Sequence, residues 1–302
     1  MRLALILFFA VFCASTSGIW IKLASADPGV VAFYRSFFAF LIFSPAVASG
    51  LKRGHMSFRQ IGWSLAAGFV FGFHILIWIM AVRQTTLANA ALCFAVNPVV
   101  TAVFGHFFFD ERSDRTLWLS IGLGILGIAA IGGVDVSLSP QYLKGDLLAL
   151  LSGIVFTFYL LIGKKMRRDA DSASNRHYMG LLYFGSALVT GIIGMSNGAE
   201  FSGFSQLTWF ALAGLTIFPT ILGHGTFNYL VKFLPASVVS AGTLAEPLFA
   251  GFMAFLLFGE GVTAGTVTGY ILITTSIGCL TWSLERARSG RVQKAGLPVG
   301  LS

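Results

Sequence analysis

Charge is what this sequence has least of. Only 11% of its 302 residues are Asp, Glu, Lys or Arg, against 56% hydrophobic. Soluble domains carry roughly 25% charged residues, so a chain this lean is badly suited to water. Lipid is the solvent that fits it, and the mean hydropathy of +0.82 agrees. Cysteine is nearly as scarce. Cys13, Cys93 and Cys279 all fall in apolar stretches. They lack the spacing of a metal site or a disulfide framework and read as buried free thiols. No G-x-x-x-x-G-K-[ST] loop occurs, which excludes a P-loop that would bind ATP to drive work. No polar stretch between the apolar segments is long enough to form a soluble domain. Lys and Arg outnumber Asp and Glu by 20 to 12, for a net charge of +8. In a soluble protein that excess would suggest nucleic acid. Here it sits in short loops and near the C-terminal end, where it reports topology. No nucleic acid, metal or cofactor is therefore expected. The expected partners are the lipid bilayer and a small-molecule substrate, and oligomeric state is not readable.

What the chain has in plenty is apolar length. A helix needs about 20 apolar residues to cross hydrocarbon. Ten such segments are expected, at 3–23, 30–49, 61–82, 87–109, 116–133, 146–163, 178–196, 208–230, 236–257 and 264–284. The fold class is thus an all-α polytopic membrane protein. Thirty-five glycines suit close helix packing in lipid. The first segment imitates a secretory signal, with Arg2, an apolar run and then Ala24-Ser25-Ala26. It is long enough to span, and it is expected to stay, because the second half has a matching first helix.

Features from Val82 to Glu111 return 149 positions later, from Val231 to Glu260. Val82-Arg83 falls on Val231-Lys232, Asn97-Pro98 on Glu246-Pro247, and Phe109 and Glu111 on Phe258 and Glu260. The order repeats: a basic residue, an apolar helix with a central proline, then a glutamate. Five spans per half is an odd number, so the second half enters the membrane inverted. Two inverted five-helix repeats are expected, at 1–144 and 145–302. With the N-terminus in the cytoplasm, sixteen of the twenty Lys and Arg residues are cytoplasmic. Lys22, Arg83 and Lys144 lie outside, and Arg35 lies within the second span. The positive-inside rule then places both termini in the cytoplasm of a cell (inner or plasma) membrane.

This arrangement resembles the EamA-type family of the drug/metabolite transporter superfamily. The resemblance rests on the repeated span pattern, on Asn97-Pro98 and Glu246-Pro247, on Glu111 and Glu260, and on Phe33-Tyr34-Arg35. It covers essentially the whole chain. It implies a central cavity between the halves and alternating access. Amino-acid exporters of that family, aromatic-amino-acid exporters included, are similar in length and span count.

Polar groups in mid-span are costly and usually face the protein interior or a water-filled cavity. Asn97 and Glu246 sit near the midplane as repeat mates, each before a proline. Pro98 and Pro247 free the carbonyls of Phe94 and Thr243, which would either bind substrate or be satisfied by a neighbouring helix. His74 and Trp78 share a helix face, as do His224 and Asn228. Each histidine reads equally as a ligand and as an interhelical bond. Trp20 and Tyr159 would add aromatic lining. Arg35 would attract a carboxylate or bond carbonyls at a helix end. The candidate substrate-binding set is therefore Asn97, Glu246, His74, Trp78, His224, Asn228, Trp20, Tyr159 and Arg35, with no catalytic residue. Glu111 and Glu260 read as helix-end or interrepeat structural groups.

The function expected is a secondary transporter that exports small metabolites, amino acids first among them and possible aromatic ones included, by alternating access. The alternatives are a passive facilitator or channel, and a polytopic lipid-modifying enzyme. The last would use Asp110, Glu111 and Asp114 with His106, although charged groups often flank a span end.

Overall fold

The structure, a computed structural model, describes residues 2–85, 87–111, 114–132, 140–168, 174–249, 253 and 264–294. Every regular element among them is helical. In lipid the backbone has no water to bond, so a spanning segment closes its hydrogen bonds on itself as a helix. Among the described residues, seven helices are long and apolar enough to cross a membrane: Arg2–Leu23, Pro28–Lys52, Phe58–Gln84, Ala90–Phe109, Tyr142–Arg167, Asn175–Ser196 and Gln206–Leu230. Two shorter apolar helices, Arg115–Ala130 and Val267–Leu280, lie where the fifth and tenth segments were expected. The ninth, 236–257, falls partly outside the described residues.

In chain order the elements are α1 (Arg2–Ser15), α2 (Ser17–Leu23), α3 (Pro28–Lys52), α4 (Phe58–Gln84), α5 (Leu87–Phe94), α6 (Asn97–Phe109), α7 (Arg115–Gly132), α8 (Pro140–Arg168), α9 (Asn175–Ser196), α10 (Gln206–Leu215), a π-helical segment (Thr216–His224), α11 (Gly225–Leu230), α12 (Ala236–Gly242), a 3₁₀ turn (Thr243–Ala245) and α13 (Ala264–Lys294). Short polar side chains start several of them. Asp27 accepts from the Gly29 N–H at 2.7 Å with Pro28 in the first turn of α3, and Ser57 and Gln60 form a reciprocal capping box on α4. Ser205 accepts from the Thr208 N–H at 3.2 Å to open α10. These caps satisfy N–H groups that have no intrahelical partner. Gly54 and Gly203 turn left-handed (φ 63° and 82°) just ahead of Ser57 and Ser205, a conformation that costs glycine least.

The helices are interrupted where the sequence expected unbroken spans. The 3–23 segment breaks at Thr16, 87–109 breaks at residues 95–96, and 208–230 contains the π-helical segment. Proline accounts for two of these. Pro98 and Pro219 cannot donate to the carbonyls four residues back, those of Phe94 and Leu215. Adjacent side chains donate instead: Asn97 Nδ2 to the Phe94 oxygen at 3.0 Å and Thr220 Oγ1 to the Leu215 oxygen at 2.7 Å.

Packing follows the small residues. α3 lies on α9, α7 on α13, and α4 against both α8 and α9. A Cβ on Gly68 of α4 would collide with the Leu182 carbonyl oxygen, and one on Gly185 of α9 would lie 2.8 Å from the Leu65 carbonyl oxygen. Backbone therefore meets backbone at this crossing, as small residues allow in membranes. Between α7 and α13, Ser120 Oγ donates to the Ser276 carbonyl at 2.9 Å and Ser276 Oγ donates to the Ser120 carbonyl at 2.6 Å. Gly68→Ala is expected to cost about 1–3 kcal/mol by overpacking. Gly62→Ala, where a Cβ meets only open space, is expected to be neutral or slightly stabilising. Thermal unfolding of the two variants in detergent checks the pair.

Candidate functional site

The breaks in the helices surround a small cavity of about 20 Å³. Its lining is Ala14, Ser17, Arg35, His74, Trp78, Phe94, Phe156, His224 and Glu246. Ala14 and Ser17 flank the break between α1 and α2. Phe94 is the last residue of α5 before the 95–96 turn. His224 ends the π-helical segment, and Glu246 directly follows the 3₁₀ turn. Among the described residues, α7 and α13 contribute nothing to this lining.

Two histidines and an arginine hold one side. His74 Nδ1 lies 3.1 Å from the Ser152 carbonyl oxygen and 2.9 Å from Ser152 Oγ, and that hydroxyl also donates to the His74 carbonyl at 3.2 Å. A proton on His74 Nδ1 satisfies the Ser152 carbonyl and leaves the other ring nitrogen as an acceptor. The His74 and His224 rings are 5.7 Å apart, and Phe71 meets His224 edge-on at 5.0 Å. His224 Nδ1 is buried without a partner. Arg35 is 1% exposed. Its Nε donates to Thr220 Oγ1 at 2.9 Å, and its Nη2 has no partner. Tyr183 fixes the same turn by donating to the Thr220 carbonyl at 2.8 Å. Trp78, Phe94 and Phe156 form an aromatic wall, with ring centroids 5.2 Å apart for Trp78–Phe94 and 5.5 Å for Phe94–Phe156.

Of the nine candidate residues, Arg35, His74, Trp78, His224 and Glu246 share this cavity. The other four are placed elsewhere. Asn97 is fully buried, donating to the Phe94 carbonyl and to Thr243 Oγ1 at 3.4 Å and accepting from Ser240 Oγ. Asn228 donates to Tyr159 Oη and to the His224 carbonyl, and Tyr159 donates to that same carbonyl at 3.3 Å. Trp20 donates to Thr16 Oγ1 at 3.2 Å and stacks on Phe218. Each of the four bonds to neighbouring protein groups, with Asn228 Oδ1 left buried and without a partner. The repeat mates Asn97 and Glu246 differ for a chemical reason. An amide can donate to the carbonyl orphaned by the following proline, whereas a carboxylate only accepts.

Phe156 and Thr220 were not foreseen. Phe156 is three residues from Tyr159 and so shares its helix side, and Thr220 adjoins Pro219. The neighbouring Phe158, by contrast, is 39% exposed.

Away from the cavity, Glu111 ties distant segments together. Its carboxylate pairs with Lys164 at 3.1 Å and accepts from the Ala236 N–H at 3.0 and 3.1 Å, opening α12. Lys164 also donates to the Leu234 carbonyl at 2.7 Å. Glu260 lies outside the described residues. Asp114, the neighbour of Glu111 in the acidic cluster, accepts from the Leu117 N–H at 2.8 Å and so caps α7. No group of His, Cys, Asp or Glu among the described residues could hold a metal ion. Removing Glu111 would strand a mostly buried ammonium and an unbonded helix N–H. Glu111→Ala is therefore expected to lose about 3 kcal/mol, read as a lower unfolding temperature, with Glu111→Gln retaining part of it.

Comparison with known proteins bears on what such a cavity serves. The chain is 23% identical over 247 residues to the uncharacterized transporter YyaM of Bacillus subtilis, covering 80% of this chain and 78% of that one. It is 24% identical over 249 residues to protein RarD of Streptomyces exfoliatus, covering 81% and 75%. A crystal structure shares the fold with a TM-score of 0.76 at 17% identity, over 95% of this chain and 98% of that one. The sequence model of the EamA-like transporter family matches residues 1–133 and 143–282. With that match spanning nearly its whole length, this multi-pass membrane protein belongs to the EamA-like transporter family.

Proposed function

We propose that the chain is a secondary transporter that exports small metabolites, with amino acids, aromatic ones included, as the substrate class. The observation that carries this reading is the cavity at the helix breaks, lined from both halves of the sequence by aromatic rings, Arg35 and the carboxylate of Glu246. Binding cavities of this kind are mostly apolar with a few polar groups. Discontinuous helices are a usual way to build a substrate site within a membrane. Arg35, His74, Trp78, His224 and Glu246 are the substrate contacts in this reading, while Asn97, Asn228, Tyr159 and Trp20 hold the walls in place.

Alternating access would arise from ten spans in two inverted repeats, at 1–144 and 145–302. Several observations support the repeat. Gly54 and Gly203, 149 positions apart, adopt the same left-handed turn before a serine cap. Ser120 bonds Ser276 between α7 and α13, and their counterparts 149 positions away, Gly269 and Gly127, also meet. The family match also divides, at residues 133 and 143. Both termini then lie in the cytoplasm of the cell (inner or plasma) membrane, by the charge asymmetry of the loops.

The test is flux in proteoliposomes with an imposed counter-gradient and an amino-acid panel. Uphill movement or exchange is expected, whereas flux that only dissipates the gradient means a passive facilitator. Two sets of variants sharpen it. Trp78→Ala is expected to weaken substrate binding roughly tenfold through lost aromatic contact. Ile273→Ala, on fully buried Ile273 of α13 against Gly127, is expected to cost about 2–5 kcal/mol of stability without changing substrate preference. Normal binding by the first variant with altered selectivity in the second would displace the site. If Glu246 also carries the coupling proton, Glu246→Gln abolishes uphill transport and spares substrate exchange. Unchanged concentrative transport would leave Glu246 as a contact residue alone.

A further inference from the structure

The side of the cavity at α3 and the π-helical segment carries an unusual debt. Arg35 is 1% exposed and sits among helices surrounded by lipid. Guanidinium stays charged at any accessible pH, and a buried charge without a counterion is costly. Yet the ion pair found among the described residues is Lys164 with Glu111, far from Arg35 in sequence. Glu246 lines the same cavity and is not paired with Arg35. The local structure spends only one guanidinium nitrogen, Nε, on Thr220. Nη2 is left without a partner, as is Nδ1 of His224, one turn further along the segment that carries Thr220. Two unpartnered nitrogens thus belong to residues lining one cavity, and no protein acceptor meets either.

We infer that Arg35 Nη2 and His224 Nδ1 form a carboxylate subsite, so that the transported molecule is a small monocarboxylate whose amine lies toward Glu246. This rests on the transporter reading above and narrows it to which chemical group is read, and by what. A guanidinium reads a carboxylate by charge-assisted hydrogen bonds, and His224 with its proton on Nδ1 supplies a second donor. Glu246 in the same cavity, when ionised, opposes any further negative charge, which disfavours phosphates and dicarboxylates. It favours a cationic group at the other end, so a zwitterion suits the cavity best, with its side chain against Trp78, Phe94 and Phe156. Thr220 is a positioning residue. Its hydroxyl donates to the Leu215 carbonyl, which Pro219 leaves unbonded, and accepts from Arg35. The π-helical turn therefore fixes the direction in which the guanidinium points.

The experiment compares ligands on the unaltered purified protein in detergent or nanodiscs, so that it needs no variant to fold. The probes are L-phenylalanine, its methyl ester, phenethylamine and 3-phenylpropionate, with L-leucine and isoamylamine as a second matched pair. The expected result is that both amino acids bind, and that the ester and the amines bind at least tenfold more weakly. The acid without an amine is expected to bind between these limits. Arg35→Gln is expected to erase the preference for the free acid, Arg35→Lys to restore part of it, and Thr220→Val to weaken it while leaving the binding of the amines unchanged. Amines or ester that bind the unaltered protein as tightly as the amino acids overturn the subsite. So does an Arg35→Gln variant that still prefers the acid. Failure of every carboxylate probe, alongside counter-gradient flux of some other solute, overturns the subsite and leaves transport standing. Absence of flux for any solute is the separate result that overturns transport.

Discussion

Lipid offers a carbonyl no hydrogen-bond donor, and the places where this chain breaks a helix are shaped by that shortage. A proline inside a helix leaves the carbonyl four residues back without its partner. Three times the residue beside the proline makes good the loss. Ser44, before Pro45, donates to the Leu41 carbonyl at 2.8 Å; Asn97, before Pro98, donates to Phe94; Thr220, after Pro219, donates to Leu215. At these three prolines the freed carbonyl therefore keeps a hydrogen bond. Two of the three repairs lie at the cavity, where Phe94 and the Thr220–Arg35 contact are part of the wall or adjoin it.

Once backbone demand is met in this way, the remaining polar side chains divide by what they can donate. Many amides and hydroxyls are absorbed by the protein, as in the buried group of Asn97, Thr101, Thr157 and Ser240. There Thr101 Oγ1 lies 3.1 Å from Thr157 Oγ1 and donates to the Asn97 carbonyl at 2.7 Å. A guanidinium has more donors than one neighbour can accept, and a carboxylate has none to give a carbonyl. Arg35 and Glu246 therefore keep capacity for something other than protein. This surplus, more than hydrophobic shape, separates the cavity from the surrounding packing.

Much of this was legible in the residues. A charged or aromatic-polar group in mid-span has few destinations, and Arg35, His74, Trp78, His224 and Glu246 were singled out on that ground and share one cavity. The same signal does not say which polar groups a neighbour will consume. Asn97, Asn228 and Tyr159 carried it too, but their partners, such as Ser240 and the His224 carbonyl, come from segments far apart in sequence or from backbone. Spacing along one helix does not reveal such pairings. Phe156 and Phe158 show the converse limit. Two phenylalanines on one helix differ only by rotation about its axis, and one lines the cavity while the other is 39% exposed. The π-helical segment left only Pro219 and its neighbouring glycines as traces, and these mark irregularity without specifying its register.

Glu111 sets a timetable for making the molecule. Its two partners, Lys164 and the Ala236 N–H, are synthesised later, the second by 125 positions. At roughly 5–20 residues per second, the ribosome reaches Ala236 some 6–25 s after Glu111 has emerged. Until Lys164 and then Ala236 have been made, water is the partner open to the carboxylate. Closing the contact is therefore a late act of assembly. It draws the end of α6 onto the start of α12 only after α7 to α11 have been made.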